Sequence, residues 1–155
     1  MSMGARVMWF VLISLFFAAS VAWAGESTLM GPLKNQKVAQ GCGCGFARTG
    51  ARPPLDYLIF ASKYQGPAWV NIRGQDTKLE PLDPNVLCML ERLGDRCAMR
   101  FKGAGINVVI DVRATWVCPD DPDDESCEVT KLEGNLTVTM GKARELQSVV
   151  GGCGC

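Results

Sequence analysis

The stretch "RCAMRFKGAGINVVIDVRATWVC", residues 96–118, decides the fold. From Ile106 onward one side collects Ile106, Val108, Ile110, Val112, Ala114, Trp116 and Cys118, while Asn107, Asp111, Arg113 and Thr115 fall on the other. Strand side chains alternate between two faces and helix side chains repeat every 3.6 residues, so this period of two predicts a long strand with one face in a core. Upstream, Cys97, Met99 and Phe101 alternate with charged or small residues, and Gly103-Ala104-Gly105 reverses the chain between the two strands.

Further strands lie on both sides of this hairpin. "LDYLIFASKY" and "AWVNIRG", separated by Gly66-Pro67, are rich in the aromatic and β-branched residues that suit strands. Downstream, "CEVTKLEG" and "NLTVTM" continue the meander with Leu136, Val138 and Met140 inward, and from Lys142 a helical tail leads to the C-terminus. One helix is predicted over residues 83–94, "DPNVLCMLERLG". Asp83 caps its first N–H groups, Pro84 occupies a position that needs no donor, Gly94 ends it, and Val86, Leu87, Leu90 and Leu93 share a face.

The expected class is therefore mainly β (α+β): a small antiparallel barrel or curled sheet of about five or six strands with one short helix. An open sheet covered by the helix fits the same pattern. The order of elements is similar to that of small OB-like barrels in exported proteins.

The chain divides into four parts. Arg6, the apolar run "VMWFVLISLFFAA" and Ala22-Trp23-Ala24 read as a signal peptide over residues 1–24. The run is shorter than the roughly 20 residues that span hydrocarbon, so export with cleavage is expected rather than anchoring, and the expected location is secreted or periplasmic. Residues 25–54, rich in Gly, Pro and polar side chains, read as an extended arm. Residues 55–141 form a single β-rich domain, and residues 142–155 a tail.

Composition removes several functions. Lys and Arg number 16, as do Asp and Glu, so no net field draws the chain to nucleic acid. The chain has no histidine. Ser-His-Asp and Cys-His nucleophiles, histidine bases and His-rich zinc sites are thereby excluded, and the balance points away from an enzyme.

The eight cysteines carry the remaining chemistry. Cys88 and Cys97, like Cys118 and Cys127, stand nine residues apart around a reversal, and each spacing fits a local disulfide of about 2–3 kcal/mol. The acidic stretch between Cys118 and Cys127, "PDDPDDES", lacks the glycine and spacing of a calcium loop and reads as a solvated cap.

The other four cysteines, Cys42, Cys44, Cys153 and Cys155, form two Cys-Gly-Cys triplets, one on the arm and one at the C-terminus. Three readings compete. Two disulfides tie arm to tail. Alternatively, four thiolates hold a soft metal, Cu(I) or Zn(II), which is the leading specific activity. In the third, each triplet closes into a strained, oxidising ring that exchanges with other thiols. Terminal cysteines also offer links to a protein partner or to a second copy of the chain. Separately, Tyr57, Tyr64 and Trp69 are candidates for a binding surface on one curved face.

Overall fold

A computed structural model describes residues 28–51, 57–83, 88, 90–119 and 127–155. The expected signal peptide and most of the acidic loop lie outside these residues. Nine strands are formed among the described residues: β1 (Met30–Gly31), β2 (Gly43–Arg48), β3 (Leu58–Lys63), β4 (Ala68–Ile72), β5 (Gln75–Pro81), β6 (Arg96–Gly103), β7 (Ile106–Trp116), β8 (Val129–Met140) and β9 (Ala143–Gly154).

The period-two reading holds along β7, where Ile106, Val108, Ile110, Val112 and Ala114 are buried and the residues between them exposed. At Ala104 and Gly105 φ is 49° and 74°, and at Arg73 and Gly74 it is 48° and 83°. Two successive left-handed residues match the right-handed twist of paired strands, so β6–β7 and β4–β5 close as two-residue hairpins.

All pairings are antiparallel, and β2 to β9 follow one another around the wall in chain order until β9 returns to β2. The result is a closed eight-stranded up-and-down barrel, in which each of β2 to β9 pairs with a neighbour on both sides. Its strand order is a meander, unlike the five-stranded Greek-key order of an OB-like barrel. β1 is the extra strand: it pairs with Ile72 and Asn71 of β4, just past the residues where β4 meets β3.

The strands differ from the expectation in number and bounds for identifiable reasons. Residues 129–140 form one strand and not two, because Gly134 is no turn; it lies so close to β7 that a Cβ there would overlap the carbonyl of Asp111. Residues 143–154 are a strand and not a helical tail. Their inward positions near the start hold Glu145 and Gln147, which hides the alternation. Glu145 is held by the Met30 N–H at 2.9 Å and by Arg48 at 3.9 Å. β5 buries only Leu79, and β2 shows glycine at alternate places, so neither displays an apolar period. The helix expected over 83–94 falls largely on residues 84–87 and 89, outside those described. Within them, Leu93 and Gly94 form a turn, with Gly94 at φ 89°.

The core fills the barrel. Phe46, Phe60 and Phe101 stack through its middle with tilted rings, centroids 6.2 and 5.5 Å apart, each pair contributing about 0.5–1.5 kcal/mol beyond its buried area. Met30, fully buried, joins this cluster from the end carrying the tight turns. Its N–H is taken by Glu145 of β9 and its carbonyl by Arg48 of β2 at 2.6 Å, so β1 acts as a floor for the barrel.

From there the chain climbs the outer wall. Leu33 and the 3-10 turn Gln36–Ala39 cover Ala47, Leu58 and Ala61, with Trp69 half-buried beside them. Backbone N–H groups of Lys34 and Asn35 are anchored on the Asp76 carboxylate at 3.0 and 2.8 Å. The described part of the stretch read as an extended arm is thus docked on the wall, and the first triplet opens β2.

Candidate binding site at the barrel mouth

In each triplet the cysteines share one face of a strand and the glycine takes the other. Phe46 of β2 and Val149 of β9 face the core, so Cys44 and Cys153, at even spacing from them, face inward as well. Cys44 is the direct partner of Cys153, and Gly43 of Gly154. Continued by one residue, this register sets Cys42 against Cys155. Cα separations are 4.0 Å for Cys44–Cys153 and 3.9 Å for Cys42–Cys155, with the sulfurs at disulfide distance in both.

The glycine between the cysteines answers to the wall around it. A Cβ at Gly43 would overlap the carbonyl oxygen of Ser62, and one at Gly154 that of Glu128. β2 and β9 therefore close the barrel through a seam in which cysteine points in and only glycine fits outside.

Cys88 and Cys97 form a third pair, Cα atoms 5.4 Å apart, and Cys118 and Cys127 a fourth at 5.6 Å. No cysteine is free. The four pairs make this a disulfide-stabilised β-barrel protein and fit an oxidising environment. All of them gather at one end: the start of β2, the end of β9, the start of β6, and the connection from β7 to β8. The opposite end carries the two-residue turns. The four sulfurs of the triplets, read from the sequence as metal ligands, are brought together, but as two pairs across the seam. Among the described residues, no group of three or more His, Cys, Asp or Glu side chains is arranged to hold a metal.

At this end the barrel opens into a cavity of about 440 Å³ lined in part by Cys44, Cys88, Cys153 and Cys155. Its inner walls include Cys44, Ser62, Met99, Phe101, Thr130 and Cys153. Ser62 is 3% exposed, one of two buried polar residues in the described chain, and is paired in register with Cys44. The rim carries Lys63, Arg100, Asp83 and Glu128, two charges of each sign, with Tyr64 exposed beside them. The Lys63 ammonium donates to the Gln40 carbonyl. β5 pairs with β6 at Glu80 and Pro81, and the Leu82 N–H continues this contact to the Arg100 carbonyl at 2.9 Å.

Of the aromatic residues expected on a binding face, Tyr64 stands at this mouth, Tyr57 is exposed elsewhere, and Trp69 packs under the docked N-terminal segment. Trp116, expected inward, is turned out by an irregularity between Ala114 and Trp116, and the Lys131 ammonium lies 5.4 Å from its ring. Met99 and Phe101 were legible as inward residues. Ser62 was not, because a serine inside a run of strand residues gives no sign of its face.

Fold and site together define an up-and-down β-barrel with a cysteine-bound cavity at one mouth. No protein-family model, no curated protein and no solved structure matches the chain.

Proposed function

We propose that this chain is an exported, non-catalytic barrel that binds a small molecule at its disulfide-ringed mouth. One observation carries this reading: all four cysteine pairs lie toward the end at which the cavity opens, with cysteines of three of them lining it, while the other end is floored by Met30. Barrels place their ligands in such mouths, and long connections stapled to the wall keep a mouth in one shape. The absence of histidine and the pairing of all sulfurs support binding over catalysis.

The soft-metal reading needs thiolates, since copper and zinc take deprotonated sulfur. It applies only to reduced protein, and the seam pairing favours the disulfide tie. Export rests on residues 1–24 and on the oxidised sulfurs.

The test is peptide mapping of non-reduced mature protein, with elemental analysis of the same sample. Crosslinked peptides joining the first triplet to the last, no alkylated thiols and an N-terminus at Gly25 are expected. Stoichiometric copper or zinc with four free thiols would overturn the reading in favour of the metal site. Binding itself is read by amide chemical shifts at Ser62, Met99 and Thr130 when small molecules are added.

A further inference from the structure

We propose that the mouth selects an uncharged aromatic molecule; this rests on the reading of the mouth as a binding site. The inward-facing described residues at this end carry no charge: Cys44, Ser62, Met99, Phe101, Thr130 and Cys153. A charged group drawn inside would lose its water and gain no counter-charge, a cost that apolar contact does not recover. Among the described residues the rim does not reverse this, because its two cations are matched by two anions.

The walls further prefer rings to chains. The Cys44–Cys153 sulfurs and the Met99 thioether are polarisable and make favourable contacts with aromatic edges, while Phe101 offers a ring. At about 440 Å³ the cavity lies in the lower part of the range of small-molecule sites, enough for a fused-ring compound. The Ser62 and Thr130 hydroxyls supply hydrogen bonding for one uncharged polar group on the ligand.

Three probes titrated into the oxidised full chain test this: N-phenyl-1-naphthylamine, its anionic relative 8-anilino-1-naphthalenesulfonate, and 1-decanol. The uncharged naphthylamine is expected to bind one to one, at least about tenfold tighter than the sulfonate or the alcohol, shifting the amides of Ser62, Met99 and Thr130. Met99→Leu, which keeps volume and removes sulfur, is expected to weaken it several-fold. If the sulfonate or the alcohol binds as tightly and moves the same amides, the ligand class is overturned while the mouth remains a binding site. If none of the three moves those amides, both readings fall.

Discussion

Cys44 and Cys153 face each other directly across the seam that closes the barrel, although 109 residues of chain separate them. Cys42 and Cys155 repeat the relationship one step nearer the mouth, so the two bridges constrain almost the same loop. In the chain-entropy model a loop of that length is worth about 4.8 kcal/mol, whereas a second bridge two residues away adds only the closure of a small ring, about 2 kcal/mol. Removing either bridge alone by paired Cys→Ala changes is expected to cost about 2 kcal/mol. Removing both is expected to cost about 7 kcal/mol, some 3 more than the sum of the single losses. Urea unfolding of the four forms measures the difference; simple additivity would show that the bridges act independently.

The glycines of the seam are not equivalent. Gly154→Ala sets a methyl against the carbonyl of Glu128, a rigid backbone atom, and is expected to cost about 2–3 kcal/mol and to leave free thiols in part of the sample. Gly45→Ala meets only the Leu58 methyl groups, the nearest at 3.3 Å, and is expected to change stability by less than about 1 kcal/mol. Thiol counting and urea midpoints of the two variants distinguish a seam that needs Gly154 from one that tolerates any small residue.

How much of this was legible follows from where each strand meets water. β6 and β7 have one dry and one wet face, and their alternation is plain in the letters. β9 is dry inside only near the mouth: Glu145 and Gln147 occupy inward positions by the floor, where Met30 and Arg48 satisfy Glu145, so the period of two is lost. β2 hides for the opposite reason, since its outward Gly43 and Gly45 bear no side chain. The two triplets were recognisable as partners. Their placement on the first and last strands of a closed barrel was not, because closure is a property of long-range pairing and leaves no local signal.

The floor makes its own prediction. Met30 is fully buried although it belongs to a two-residue strand at the edge of the described chain. Met30→Ala is expected to cost about 3 kcal/mol through lost burial and the cavity left behind. Leu146→Ala, on the outer wall and 62% exposed, is expected to stay within about 0.5 kcal/mol. Equal effects from urea unfolding would mean that the N-terminal segment does not seal the barrel.

Asp76 ties the same segment to the outer wall, and the docking is therefore expected to depend on pH. Partial burial raises the Asp76 pKa, but the backbone N–H groups of Asn35 and Lys34, the Asn71 amide and the charge of Lys34 outweigh it, and the carboxyl is held below its usual value. A carboxylate lowered in the folded state contributes stability that is present above the unfolded value, about 3.9, and is lost as pH falls through the folded one. Asp76→Asn is therefore expected to cost about 1–2 kcal/mol near neutral pH, a figure already reduced for solvent screening. The gap between variant and parent is expected to narrow steadily below about pH 4. Urea midpoints for both proteins between pH 7 and pH 2 measure it, and amide exchange at Lys34 and Asn35 shows whether the docked segment is what loosens. A gap that stays constant down to pH 2 would mean that the Asp76 charge contributes nothing to holding the segment in place.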